Sequence, residues 1–251
     1  MKIVTVRNLT MGTGRPKICV PIVAKTEADI LEQANSFTGL SFDLVEWRAD
    51  WFDGLGEEGS IARILGKLHD ILGEKPVLFT IRTRKEGGEI EPAVEDYMRW
   101  NETAAASGAD LIDVELFSGR EIVRTLVKYA HERGAAVIGS SHDFRKTPEN
   151  TDMEARLADM DALGCDIAKL AVMPQSKEDV LRLLTVTEKM SRMLESPLIT
   201  MSMGGDGVLS RLCGEVFGSC LTFGAAKKAS APGQIGVDDL EQVLEILHKS
   251  M

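Results

Sequence analysis

The 251-residue sequence predicts an α/β fold, a (β/α)8 TIM barrel with an N-terminal β-hairpin capping the barrel bottom. Three observations carry this reading. Eight short apolar runs rich in strand-forming residues recur along the chain. Amphipathic stretches with i, i+3, i+4 apolar spacing lie between them. No Gly-x-Gly-x-x-Gly follows the first run, which argues against a doubly wound open sheet. Strands that alternate with helices call for a parallel sheet, and eight such units in about 250 residues match a closed barrel.

The leading "KIVTVRNLTMGTG" reads as an extra hairpin before the first strand–helix unit. The eight runs are "KICVPIV" (17–23), "FDLVEWRAD" (42–50), "PVLFTIRT" (76–83), "LIDVELF" (111–117), "AAVIGSSHD" (135–143), "DIAKLAVM" (166–173), "PLITMSM" (197–203) and "CLTFGAA" (220–226). Residues 61–72, 180–194 and 240–249 show the plainest helical periodicity. "TEAD" (26–29) and "SKED" (176–179) set a hydroxyl three residues before a carboxylate, as at capped helix starts. Gly134 and Gly164 stand between a helix and the next strand, where a left-handed residue is wanted. With no linker or composition break, the expectation is a single barrel domain over 1–251.

Composition narrows the partners. A net charge of −10 argues against a general nucleic-acid surface. No apolar run reaches the roughly 20 residues of a membrane span, and the start lacks the features of a signal peptide. The four cysteines show neither Cys-x-x-Cys spacing nor histidines at metal-ligand intervals, so reduced, buried thiols in a cytoplasmic protein are expected, with no metal.

The polar residues inside the runs are harder to place in a structural core. Side chains alternate along a strand, and outward faces of a barrel pack against helices, so polar strand residues should face the interior near its C-terminal mouth. Glu46 and Arg48 share one face, Thr80 and Arg82 another, and Asp113 aligns with Glu115. His142 ends the fifth run, and Lys169 stands in the sixth, amid apolar neighbours. Structural readings stay open for several of these: Glu46 could neutralise Arg48, Arg82 could pair with Glu115, and Lys169 could be a counter-ion. Asp113 and Glu115 read as supporting partners rather than reacting groups. Converging charges from five successive strands nevertheless make a polar pocket. His69, His131 and His248 fall in helical patterns and read as surface residues.

A lysine amine kept from water in a pocket near arginines can attack a ketone or aldehyde to form a Schiff base. The iminium acidifies the adjacent C–H, and a positioned histidine can take that proton and later deliver one to a leaving hydroxyl. The predicted chemistry is β-elimination of water, or aldol chemistry, on a carbonyl compound. Arg48, Arg82 and Arg211 suggest an anionic, hydroxylated substrate.

Seven motifs in order, "EWRAD" (46–50), "TIRTRKEGGE" (80–89), "IDVELF" (112–117), "SSHDFRKTP" (140–148), "KLAVMPQ" (169–175), "SRLCGEVFGS" (210–219) and "ASAPGQI" (229–235), resemble the type I 3-dehydroquinate dehydratases of the shikimate pathway. The resemblance covers roughly residues 1–249. It implies dehydration of 3-dehydroquinate to 3-dehydroshikimate through a lysine imine, without metal or organic cofactor, in a cytoplasmic homodimer. By motif, Lys169 would form the Schiff base, His142 would act as general base then acid, and Glu86 would orient and tune His142. Glu46, Arg48 and Arg82 would hold ring hydroxyls. Arg211, helped by Ser230 and Gln234, would take the substrate carboxylate, and "SAPGQI" would form a lid. Pro21, Ser141 and Gly204 depart from the family pattern. A class I aldolase or transaldolase would explain Lys169 but not His142 together with "SAPGQI", and a binding barrel without catalysis would leave the lysine–histidine pair without purpose.

Overall fold

The structure, a computed structural model, describes residues 3–226 and 232–251. Strands β1 (Val4–Val6) and β2 (Leu9–Met11) form an antiparallel hairpin. Eight parallel strands then follow among the described residues: β3 (Lys17–Ile22), β4 (Leu44–Arg48), β5 (Val77–Thr80), β6 (Leu111–Glu115), β7 (Ala136–Asp143), β8 (Ile167–Val172), β9 (Leu198–Ser202) and β10 (Leu221–Ala225). They pair in chain order, and β10 pairs with β3. The ring closes where Leu198 bridges Ser219 and the Cys220 N–H donates to the Leu198 carbonyl at 2.9 Å. A short β11 (Ile235–Gly236) lies along the end of β10.

Helices cover the outside in sequence: α1 (Glu27–Asn35), α2 (Ser60–Leu72), α3 (Val94–Ala106), α4 (Arg120–His131), α5 (Asn150–Ala162), α6 (Lys177–Met193), the short α7 (Val208–Leu212) and α8 (Gly214–Phe217), and α9 (Val237–Lys249). The two capping patterns are realised: Thr26 accepts from the Asp29 N–H at 3.2 Å, and Ser176 from the Asp179 N–H at 3.3 Å. Gly134 and Gly164 take φ of +78° and +87°, a conformation that costs glycine nothing and turns each chain from helix back into strand.

Alternation sorts the strand residues into two layers. Val45, Trp47, Phe79, Ile112 and Val114 face outward into the core between sheet and helices. There Trp47 meets Phe79 edge-on at 5.3 Å, a burial that stabilises by about 2–3 kcal/mol per ring. Leu44, Leu78, Leu111, Ile138, Ile167, Ile199 and Leu221 face inward at the strand starts and form the barrel floor. Val6 and Met11 belong to that same inner cluster, so the hairpin does cap the bottom. Above the floor, the inward positions turn polar, which is what makes room for chemistry.

One run ends earlier than its sequence suggests. The stretch 76–83 leaves the sheet after Thr80 because the Arg82 N–H donates to Asp50 at 3.3 Å instead of to a neighbouring strand. Arg82 thereby lies at the barrel mouth rather than inside a strand.

Candidate active site

The upper layer is built by alternation and register together. Lys169 on β8 pairs with Ser140 on β7, and Ser140 with Glu115 on β6. Glu46 and Thr80 come from adjacent strands, and the Thr80 hydroxyl donates to Glu46 at 2.9 Å. Asp113 lies at the centre. It accepts from Lys169 Nζ at 3.1 Å, from the Ser140 hydroxyl at 2.6 Å, and pairs with Arg82 at 2.8 Å. Burial opposes the charge on Asp113, but Arg82 and Lys169 hold its carboxyl below the usual value.

Lys169 is 3% exposed, with its amine 3.8 Å from Glu46 and 4.7 Å from the Phe223 ring centre. The nearest charged groups are therefore carboxylates, where the sequence had suggested arginines. The counter-ion reading of Lys169 and the reactive one are compatible: an ion-paired amine is also an aimed one.

His142 is next to last in β7 with its Nδ1 2.8 Å from Glu86 Oε2, and the same oxygen accepts the His142 backbone N–H at 2.9 Å. Two contacts to one carboxylate oxygen fix the ring plane and turn Nε2 away from Glu86. Burial, helped by the charges of Arg82, Lys169 and Arg48, pushes the imidazole well below its ordinary pKa. Burial and the Glu115 charge push Glu86 up to about 8. Both partners are driven toward their uncharged forms by the same loss of water.

The arginines divide into two kinds. Arg82 is engaged on several sides, pairing with Glu115 and Asp113 at 2.8 Å each and donating to Ser140 at 3.0 Å, and it still lines the cavity. The Arg82–Glu115 pairing that the sequence left open is present. Arg48 does not neutralise Glu46; its guanidinium makes two 2.8 Å bonds to Asp50. Arg211 is different. It is 2% exposed, donates to the Pro232 carbonyl at 3.1 Å, and has no acid within ion-pair distance among the described residues. Its Nε has no partner among the described residues, and burial lowers its pKa to about 10. A buried cation without a counter-ion is costly, so a ligand anion is its natural partner.

These groups line one narrow cavity of about 90 Å3, with Glu46, Arg48, Arg82, His142, Lys169, Arg211 and Gln234 on its walls. Glu86 stands behind His142 rather than in this wall. Ser230 lies outside the described residues. Of the lid stretch, Pro232 is tied at its carbonyl to Arg211 and to the Gly204 N–H, the latter at 3.2 Å. Ser141, one of the departures from the family pattern, faces outward, where Arg156 donates to its hydroxyl at 3.3 Å.

Sequence reasoning missed Asp50, although it lies two residues after Arg48 in the quoted "EWRAD". It also missed the apolar walls Met201 and Phe223, which alternation within their runs would have turned inward. Together the cavity offers a buried amine, an oriented imidazole with a low pKa, and a guanidinium with no ion-pair partner among the described residues. That set can form an imine, move a proton at the adjacent carbon, and bind a carboxylate. Among the described residues, no cluster of histidine, cysteine or acid side chains is arranged to hold a metal ion.

Known proteins resemble the chain closely. The type I 3-dehydroquinase family model matches residues 18–251. A 3-dehydroquinate dehydratase of Listeria monocytogenes is 50% identical over 250 residues, covering 99% of each chain. One from Salmonella agona is 50% identical over 252 residues, covering 100% of each. Among solved structures, the type I 3-dehydroquinate dehydratase of Clostridium difficile with covalently modified comenic acid superposes with a TM-score of 0.97 at 46% identity, covering 100% of this chain and 99% of that one. The Geobacillus kaustophilus 3-dehydroquinate dehydratase gives 0.96 at 41% identity, covering 99% and 97%.

Proposed function

The chain belongs to the type I 3-dehydroquinase family, and on that premise we propose that Lys169 and His142 carry out its reaction with the surrounding residues in the roles below. The enzyme is a 3-dehydroquinate dehydratase, a hydro-lyase of the shikimate pathway. The observation that carries the residue assignment is the convergence of Lys169, His142 and the unpaired Arg211 on one buried cavity.

Arg211 takes the substrate carboxylate, an anion that supplies the counter-charge its buried guanidinium lacks. Gln234, and Ser230 by the family motif, assist it. Glu46, Arg48 and Arg82 hold ring hydroxyls at the opposite wall. Lys169 gives up a proton and attacks the ketone carbon, and the carbinolamine hydroxyl leaves with that proton as water, giving an iminium beside Asp113. The iminium keeps one positive charge, so the ion pair with Asp113 is retained.

His142 Nε2 then takes a proton from the carbon next to the iminium, giving an enamine. As the enamine collapses, the hydroxyl β to the former carbonyl leaves with that proton as water. Hydrolysis of the conjugated iminium frees the product and restores the amine. One water is lost overall, and the proton His142 removes is the one it returns. Glu86 holds the imidazole in place for both transfers. The covalently modified acid of the Clostridium difficile relative supports a covalent route. An aldolase would need the same lysine, but the matching family and the full-length relatives are dehydratases.

The reading extends to one functional barrel domain over 1–251, to a homodimer, and to a cytoplasmic location, which suits four buried free thiols. Borohydride trapping tests the chemistry: the protein is incubated with 3-dehydroquinate, reduced, and its intact and peptide masses are read. A ligand-sized adduct on the peptide carrying Lys169 is expected. An adduct on another lysine would overturn the site, and no adduct would overturn the imine.

A further inference from the structure

Glu115 stands buried at the end of β6 and turns both carboxylate oxygens toward the loop that follows β5. Oε1 accepts from Arg82 Nη1 and from the Thr83 backbone N–H, each at 2.8 Å, and Oε2 accepts the Thr83 hydroxyl at 2.7 Å. Its own backbone N–H donates to the buried Tyr97 hydroxyl at 3.0 Å. The rest of the loop hangs from Thr83, whose carbonyl accepts the Glu86 N–H at 3.0 Å and the Gly88 N–H at 2.8 Å. One carboxylate therefore holds both the arginine of the site and the turn that presents Glu86.

That arginine stands between two acids. Arg82 Nη1 is 2.8 Å from Glu115 Oε1 but 3.7 Å from Glu86 Oε2, beyond hydrogen-bond reach. Glu86 Oε2 is left to the Nδ1 and backbone N–H of His142, and its Oε1 has no partner among the described residues. With water excluded, a guanidinium bonds strongly to a carboxylate within reach, so a freed Nη1 would close on Oε2 and compete with the imidazole. Asp113, also on β6, pairs with Nη2 at 2.8 Å and leaves Nη1 to Glu115. After burial, the charge of Glu115 does most to raise the Glu86 carboxyl, and Arg82 opposes it. Lys169 on β8 and Arg48 on β4 act on the imidazole side of the pair. Beyond Glu86 lies a second cavity of about 550 Å3, with Phe144 resting on Gly87 at its edge. Its charged wall residues are turned to one another or to water. Lys85 pairs with Glu91 at 2.9 Å and Arg156 with Asp152 at 2.7 Å, Asp143 accepts the Arg145 and Lys146 N–H groups, and Arg84 and Arg145 are exposed.

We infer that Glu115 is a positioning residue for the dehydration: it holds Arg82 Nη1 away from Glu86 and so keeps Glu86 Oε2 for His142. The inference rests on the roles given above to His142 and Glu86. It requires the charge of Glu115 and not only its length, because a neutral side chain competes poorly with Glu86 for a guanidinium.

Two variants of the full chain test it: Glu115→Gln keeps length without charge, and Glu115→Asp keeps charge without length. The Glu86 side-chain carboxyl carbon is followed by NMR through a pH titration, alongside kcat for 3-dehydroquinate and borohydride trapping. The Glu86 midpoint should fall by about one pH unit in Glu115→Gln, since an anion is lost and a cation moves closer, and by less in Glu115→Asp. The dehydration kcat should drop about tenfold in Glu115→Gln and less in Glu115→Asp, as the imidazole loses its hold. A harmless Glu115→Gln beside a damaging Glu115→Asp would make Glu115 a spacer and overturn the inference. Should Glu115→Gln fail to fold, the Glu115→Asp midpoint decides: a fall supports the inference and no change overturns it. Trapping separates this result from the imine itself. An adduct on Lys169 in parent and variants, with the Glu86 midpoint unmoved, overturns the role of Glu115 alone.

Discussion

The Lys169 amine donates to Asp113 at 3.1 Å, and Asp113 in turn pairs with Arg82 at 2.8 Å. This chain of contacts explains how an amine can stand in an apolar strand. Both cations share one fully buried carboxylate, whose remaining oxygen accepts the Ser140 hydroxyl. Removing one member of such a cluster leaves an uncompensated charge, typically at a cost of about 3–5 kcal/mol. The cluster also sets where the amine points, since Asp113 is on β6 and Lys169 two strands away on β8.

Arg211 should behave in the opposite way, because its charge is unpaired in the free protein. Arg211→Met preserves much of the volume and removes a buried cation whose pKa burial has lowered to about 10. Thermal stability should hold or rise, while KM for 3-dehydroquinate rises about ten- to a hundredfold through loss of charged hydrogen bonds. Melting curves alongside steady-state kinetics test both halves. A lower Tm with an unchanged KM would show that Arg211 is structural.

Asp50 holds Arg48 by two 2.8 Å bonds and also accepts the Arg82 and Glu89 backbone N–H groups at 3.3 Å each. Asp50→Asn keeps the shape and removes the charge. We expect KM to rise about tenfold with kcat changed less than about threefold, since the reacting groups are untouched. Stability should fall by about 3 kcal/mol, as for other broken buried pairs. An unchanged KM would mean that Arg48 keeps its place without Asp50.

The acid limb of the pH profile should lie low. Burial and three nearby cations depress the His142 pKa below its ordinary value of 6.5, so the imidazole stays neutral and able to take a proton as pH falls through that value. Protonation, and loss of kcat/KM, comes only at lower pH. The sign for stability is the same: below about 6.5 the unfolded chain binds a proton that the folded His142 refuses, so the folded state loses stability as pH falls. A profile between pH 5 and 9 whose acid limb is centred at or above 7 would contradict this.

Periodicity alone determined much of this protein. Alternation in "LVEWR" and "LIDVE" put Glu46, Arg48, Asp113 and Glu115 on the inner face, because a strand's side chains can only point to one side or the other. The same rule set Lys169 inward, and cap residues such as Thr26 marked helix starts through local hydrogen bonds. What the tertiary structure decided was partnership. Arg48 could have paired with Glu46, two residues back, but the turn after β4 brings Asp50 round to it. Lys169 was expected among arginines, yet register places Asp113 and Glu46 nearest. Nor could any local pattern reveal that Phe144 rests on Gly87 with a cavity behind it. Facing follows from the geometry of one strand. Ion-pair partners and cavities depend on the relative heights of residues from several strands and loops, and only the closed sheet sets those.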